Sequence, residues 1–428
     1  MARSRPYCGH PDFTIPSEHP TMNFQKQILW FICALAPTTL LPAEPVEILS
    51  YQSIPSRIKN GNPVLAAAHF RIDEAVGRMN QSGRLPNPSF ETGTDHNIQS
   101  AEGSIEIGFS QKFPITNRLM LEKKISAAGV EAAAAEVKDV ERLLVAEARA
   151  EFVKILSIRE RLALLNRQKT LSTELADFIS SASERGEISS LDAAQARLAA
   201  LRITTAERRL KTEETATLGK LRPLVGIAAD TGVKLSGNVP PVSIPGTASL
   251  DRPDLKAAKI DLMAAGTEIE LETARKRDDI EASIFAAGER TEDAPNGLEN
   301  EGIIGFKLSI PLPFWNDNSG NIEEATARRS RKEMEVKALE REIHHQGQTA
   351  LTEMRQWAAL VSELDQQLLP LAKEQTDLLE EAYRKGQGDL QAVLSSREQT
   401  LELLASKLDA TREFRLARIR YETSRGNF

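Results

Sequence analysis

The sequence predicts a mainly α-helical chain with a small β part, built from one helix–strand–strand–helix–helix unit that occurs twice. Three observations carry this. Short landmark stretches recur in the same order far apart in the chain. The tracts between them are rich in Ala, Leu, Glu, Arg and Lys, the composition of long helices. Each copy also holds a run that alternates apolar and polar residues with the period of a strand.

The landmarks are specific. Asn62-Pro-Val-Leu65 matches Arg252-Pro-Asp-Leu255 at an offset of 190 residues. Gly108-Phe-Ser-Gln-Lys-Phe-Pro114 matches Gly305-Phe-Lys-Leu-Ser-Ile-Pro311 at an offset of 197. Ser183-Glu-Arg-Gly186 matches Tyr383-Arg-Lys-Gly386 at an offset of 200. The chain then divides into a leading region 1–43, an N-terminal extended segment 44–61, a first repeat 62–222, a linker 223–250 rich in Gly, Pro, Val and Ser, and a second repeat 251–425.

The leading region reads as an export signal. Lys26 precedes the apolar run Ile28–Ala36, and Leu41-Pro-Ala43 offers a small residue at the cut. That run is too short to span a bilayer, which takes about 20 apolar residues. The signal is best formed from Met22, which makes Met22 a candidate start. Both cysteines, Cys8 and Cys33, precede the cut, so the exported chain needs no disulfide and holds no thiol site. Ile32 stands before Cys33 where lipid attachment would want a small residue.

Each repeat opens with a helix, over Pro63–Gln81 and over Pro253–Lys276. Two strands follow: Ser89–Asp95 with Ser104–Phe113, then Ile280–Ala287 with Ile303–Leu312. In the second strand of copy one, Ile105, Ile107, Phe109 and Phe113 share a face opposite Glu106, Ser110 and Lys112. In copy two, Ile304, Phe306, Leu308, Ile310 and Leu312 do the same. These strands have the length of membrane-spanning strands, about 9–11 residues. On that reading Ile105, Ile107, Phe109, Ile304, Phe306, Leu308 and Ile310 face lipid. Phe113, Phe314 and Trp315 at the strand ends would sit in the interface. A small soluble sheet has the same alternation.

Long helices come next, over Arg118–Glu184 and Asn321–Lys385. At 1.5 Å per residue the first would be about 100 Å long. Heptad seams run through both: Val137, Val140, Leu144, Ala148, Phe152 and Ile155, and Val361, Leu364, Leu368, Leu371, Gln375, Leu378 and Ala382. Glycine then reverses the chain, and helices return over Leu191–Leu221 and Leu390–Thr423. The hairpin tips therefore fall at Gly186 and Gly386.

Four strands cannot close a membrane barrel, whose smallest members have about eight. Spanning strands would have to be pooled between chains, and three chains would give twelve. The duplicated unit resembles the outer-membrane efflux (TolC) family over Asn62–Arg425. Leu85-Pro-Asn-Pro88, Arg252-Pro-Asp-Leu255, Ile310-Pro-Leu-Pro-Phe314 with Asn318-Ser-Gly-Asn-Ile322, and Arg185-Gly-Glu-Ile-Ser189 carry the resemblance. Ile310-Pro-Leu-Pro and Gly186-Glu-Ile-Ser look most like its heavy-metal (CzcC-like) branch. The resemblance implies a homotrimer with a 12-stranded β-barrel in the outer membrane and an α-barrel across the periplasm. It implies passive conduction, coupled through a periplasmic adaptor protein to an inner-membrane RND-type pump. The adaptor-docking tip would be Gly186, Glu187, Ile188, Ser189, Ser190 and Leu191 with Gly386, Gln387, Gly388, Asp389 and Leu390. Some members place acidic rings six and nine residues past the tip glycine. Asp192 fits the first position as a pore acid, but Ala392 and Ser395 stand in copy two. Asp192 serves equally as a favourable charge on the next helix.

No catalytic, cofactor-binding or metal-binding set is expected. There is no Walker loop, dinucleotide fingerprint or nucleophile elbow. Of His69, His96, His344 and His345, the adjacent pair would point about 100° apart on a helix and lack a third ligand. The net charge of -7 argues against nucleic acid. A periplasmic coiled-coil adaptor or scaffold, and a protein-secretion channel, remain alternative readings.

Overall fold

The computed structural model describes residues 46–427, apart from 238, 247–249 and 294–296. The expected signal region 1–43, with Met22, Cys8 and Cys33, lies outside the described residues.

The described chain begins with β1 (Val46–Ser50), a 3-10 turn at Tyr51–Ser53 and α1 (Ile54–Gly61). The segment expected to be extended is thus a strand only at its start. Ser50 and Ser53 cap each other, which folds the chain into the helix. α2 (Pro63–Gln81) follows. Asn62 caps it by accepting from the Val64 and Leu65 amides, at 2.8 and 3.1 Å, with Pro63 in the first helical position.

Next come β2 (Ser89–His96), β3 (Gly103–Phe113) and α3 (Arg118–Glu184), one unbroken helix of 67 residues. α4 (Ser190–Leu224) returns alongside it. The expected linker 223–250 holds a strand, β4 (Gly232–Ser236), which pairs in parallel with β1. Copy two repeats the order with α5 (Pro253–Ala274), β5 (Ile280–Asp293) and β6 (Gly297–Ser309). β6 starts earlier and stops sooner than its alternation suggests. Pro311 and Pro313 have no amide to give a ladder, so Ile310 and Leu312 lie beyond the strand.

The second long helix is interrupted, a correction to the expected Asn321–Lys385. α6 (Ser319–Glu363) gives way to a π turn at Leu364–Leu368, and α7 (Leu369–Arg384) continues. Pro370 lacks an amide hydrogen, so the carbonyl of Gln366 loses its donor and the turn widens there. The seam steps five residues across it. Val361 and Leu364 are buried against α8 (Leu390–Arg425); after the turn the inward positions are Leu369, Ala372, Thr376, Leu379 and Tyr383. Leu368, Leu371 and Leu378, expected in that seam, face outward.

The main core lies where β1, α1 and α2 wrap the middle of α3. Leu49, Ile54, Ile58 and Leu65 close over Val145, Phe152, Val153 and Ile155, with Leu221 of α4 and Ile419 of α8 completing it. Complete burial of a side chain of this size contributes about 1.5–3 kcal/mol.

Candidate channel elements: the sheet and the hairpin tips

The four long strands form one antiparallel sheet in the order β2-β3-β5-β6. Strands of copy one and copy two meet at β3 and β5, with Phe109 opposite Ile284 and Ile107 opposite Ala286. No register shift interrupts any of the three ladders, so each face stays uniform along its length. One face gathers Ile105, Ile107 and Phe109 with Ile304, Phe306 and Leu308, joined by Phe90 and Ile284. All are exposed, Ile304 to 90%. The Phe90 and Phe109 rings pack 5.1 Å apart across the strands. Ile310 is exposed just past the end of β6, and Phe314 and Trp315 form an exposed edge-to-face pair beyond it.

The other face is rich in carboxylates. Glu91, Asp95, Glu106, Glu289, Glu299 and Glu301 share it with Lys112 and Lys307, and Glu289 stands directly opposite Glu301. Phe285 is the aromatic exception. Its ring lies on Gly305, where a Cβ would come within 2.2 Å of it, and its Cβ sits close to Gly108. The two glycines of the repeated Gly-Phe landmark thus flank one ring.

The sheet meets the helices at an ionic junction. Arg118, at the start of α3, donates from Nε to Asp279 at 2.9 Å and reaches Glu122, which also pairs with Arg275.

At the far end of the helices both tips have the same geometry. Gly186 (φ 77°) and Gly386 (φ 73°) take the left-handed conformation that side chains resist. The next amide in each case, Glu187 or Gln387, donates back to Ala182 or Ala382, at 2.9 and 3.0 Å. Ser189 caps α4 through the Leu191 amide at 3.1 Å, whereas Asp389 makes no such bond at the start of α8. Of the expected tip residues, Gly186, Glu187, Ser189, Ser190, Leu191, Gly386, Gln387, Gly388 and Asp389 are exposed.

Two expected tip residues instead join the hairpins. Leu390 is buried to 3% with Ala176, Ile179 and Ala196, and half-buried Ile188 packs on the same cluster beside Tyr383. A leucine opening a helix reads as exposed from sequence. Here it packs against α3 near the tip. Arg185 grips Glu187 at 3.0 Å and holds its carboxyl below the ordinary value. Asp192 is half-buried, and burial followed by the charges of Asp192 and Asp389 pushes the Tyr383 phenol up. Tyr383 draws no role from sequence reasoning, though it stands in the Tyr-Arg-Lys-Gly landmark.

Among the described residues no group of three His, Cys, Asp or Glu converges as metal ligands. No helix among them is long and apolar enough to cross a membrane.

Long helical hairpins joined to a sheet with a large apolar patch exposed on one face are the architecture of outer-membrane channel subunits. The chain belongs to the outer membrane efflux protein family, whose model matches residues 54–226 and 244–427. Among solved structures it is similar to CusC, at 17% identity over 88% of this chain and 92% of that one, with a TM-score of 0.70. The outer membrane protein VceC from Vibrio cholerae is 15% identical over 88% and 96%, with a TM-score of 0.69. The MtrE outer membrane channel of Neisseria gonorrhoeae is 15% identical over 88% and 89%, with a TM-score of 0.70. Among curated proteins none matches the sequence.

Proposed function

We propose that this chain is the outer-membrane duct subunit of a tripartite efflux system, acting as a homotrimer. The observation that carries the reading is the sheet: four strands, one apolar exposed face, one carboxylate face, and two unpaired edges at β2 and β6. Backbone edges cannot stay open in lipid. Three copies joined β6 to β2 make a closed barrel of twelve strands, with Ile105, Ile107, Phe109, Ile304, Phe306 and Leu308 toward lipid and the carboxylates toward water. The long hairpins then cross the periplasm. Their exposed tip residues, Gly186, Glu187, Ser189, Ser190, Leu191 and Gly386–Asp389, dock a periplasmic adaptor coupled to an inner-membrane RND-type pump, which supplies the energy for otherwise passive conduction.

The cargo we propose is heavy-metal cations or small toxic solutes. The excess of carboxylates on the water face favours cations. The Ile310-Pro-Leu-Pro and Gly186-Glu-Ile-Ser stretches support the metal branch.

The test is cell fractionation followed by sizing in mild detergent. A detergent-requiring trimer in the outer membrane is expected. The Phe306→Asp, Leu308→Asp double variant should lose membrane assembly, because charge on the lipid face costs several kcal/mol. A soluble monomer, or normal insertion of the variant, would remove the duct reading in favour of a periplasmic scaffold.

A further inference from the structure

Near the middle of the long helices lies a trough. α8 ends and α5 begins there, joined by the Asp251 amide, which donates to the Arg425 carbonyl at 3.0 Å. Both pack between α3 and α6 and hold those two helices apart. The gap is a cleft of about 690 Å³, within the range of small-molecule sites, about 300–1,000 Å³. Its apolar surface comes from Leu143, Ala146 and Ala150 of α3, Ala350 of α6, and Leu416 and Ile419 of α8. Alanine at three of these places leaves the room. Walls, floor and end belong to one chain, so no neighbour is needed to complete the cleft.

Helix phase sets the direction in which it opens. On α3, Val145, Ala148 and Phe152 face the core under β1 and α1. Leu143, Ala146 and Ala150 stand two residues from them, about 200° round the helix. On α8, Arg418 donates to the linker carbonyls of Pro241 and Ser243, at 3.4 and 3.5 Å. Leu416 and Arg420 stand two residues to either side of it. The trough therefore opens on the face opposite β1, α1 and the linker. In a closed ring one face of this helical layer lines the bore. β1, α1 and the linker recur in every copy and would fill the bore from within, so they stand outside and the trough opens inward.

Charge selects the ligand. Arg142 is buried and tied within the fold: Nε donates to Asp139 at 2.8 Å and Nη1 to the Thr423 carbonyl at 2.9 Å. Arg252 donates to Asp254 and to Gln346, both at 2.9 Å. The two arginines and the two aspartates balance. Arg420 pairs with Glu353 at the rim. Glu342 is exposed, takes only the Gln346 amide at 2.9 Å, and meets no cation among the described residues. One carboxylate is thus left over beside an apolar floor, whereas an anion finds every guanidinium already engaged.

We infer that the trough binds an amphipathic organic cation, its apolar body on Leu143, Leu416 and Ile419 and its charge beside Glu342 and Glu353. The role rests on the duct proposed above, for which it names a solute class: such cargo pauses here, held weakly enough to leave. The binding itself does not depend on the ring.

Tetraphenylphosphonium tests it, with tetraphenylborate as an anion of the same shape. Equilibrium dialysis of the purified full chain, with the same detergent in both chambers, balances uptake by micelles. Saturable binding of one phosphonium per chain is expected, in the micromolar range, and none of the borate. Ala146→Phe fills the trough and should abolish phosphonium binding at unchanged oligomer size. Glu342→Gln with Glu353→Gln, at the rim where folding is not at stake, should weaken it about tenfold. No saturable phosphonium binding, equal binding of the borate, or a double variant that binds as tightly as the parent overturns the trough. An oligomer that still forms in detergent then leaves the duct reading standing. A soluble monomer with Glu342-dependent phosphonium binding keeps the trough and removes the duct.

Discussion

The two repeats share an element order and differ in what surrounds them. In copy one, α3 is a single helix enclosed by α2, α4, α5 and α8. Its hairpin is tied by charge: Glu207 of α4 is nearly buried and accepts from both Lys169, at 2.8 Å, and Lys211. In copy two, the helix breaks at a π turn. Its hairpin is tied by hydroxyls, with Thr376 bonded to Ser396 at 2.8 Å and to Thr400 at 3.0 Å, and by the Arg397–Glu380 ion pair at 2.7 Å. Duplication has kept the elements while the faces diverged. The helix that has neighbours on several sides has stayed regular. The broken one turns Leu368, Leu371 and Leu378 outward.

Deleting one residue tests that contrast most severely. Removing Gln366 takes the extra residue out of the π turn and leaves α7 facing as before. Removing Gln168 turns residues 169–184 by about 100°, which takes Lys169 off Glu207 and Ile179 out of its cluster. Folded tips are expected in the first variant and lost in the second, by limited proteolysis and circular dichroism. Equal damage from both deletions would mean that the π turn carries the fold of copy two.

The cores give a smaller, graded effect. Phe152→Ala removes a fully buried ring from the large central cluster and should cost about 3–5 kcal/mol. Met354→Ala, 202 residues on, empties a smaller and more adaptable site and should cost about 2–4 kcal/mol. Denaturation midpoints of the two variants rank them. A larger loss at Met354 would place the centre of stability in copy two.

The smallest effect is in acid. Hydrogen bonds from Lys169 and Lys211 hold the Glu207 carboxyl down, to about 2. A depressed carboxylate contributes stability above its ordinary value of 4.5 and loses it as pH falls toward the folded value. Hydrogen exchange at the tip of copy one should therefore quicken between those limits. The hydroxyl cluster of copy two has nothing to titrate, and Glu380 there has one cation, Arg397, where Glu207 has two, so its tip should loosen less. Parallel loosening of both tips would show that Glu207 is not what separates them.

Much of this was legible in the residues, for local reasons. Pro114 and Gly186 bracket α3, and both of its ends fall where those residues put them. The alternation of Ile105, Ile107 and Phe109 named one sheet face correctly, because period two is read within a single strand. What stayed hidden is non-local or degenerate. Nothing near Phe109 announces Ile284 as its partner. The heptad through Leu368, Leu371 and Leu378 is real but belongs to a different face. Pro370, with its missing amide, was the available sign of the break. Leu390 looked like a tip residue because burial there comes from α3, more than two hundred residues earlier.

The straight junction of β3 with β5 also sets an order of events during biogenesis. Phe113 and Ile280 are paired across the whole first hairpin and the connecting segment. A lone two-stranded ribbon is marginal, and closing a loop of that length is slow. The emerging amino-terminal half must therefore wait, its ribbon unsupported, until the carboxy-terminal strands arrive. The helices can form meanwhile from near neighbours in the chain. In the proposed duct, insertion is then a late step taken by a nearly finished subunit.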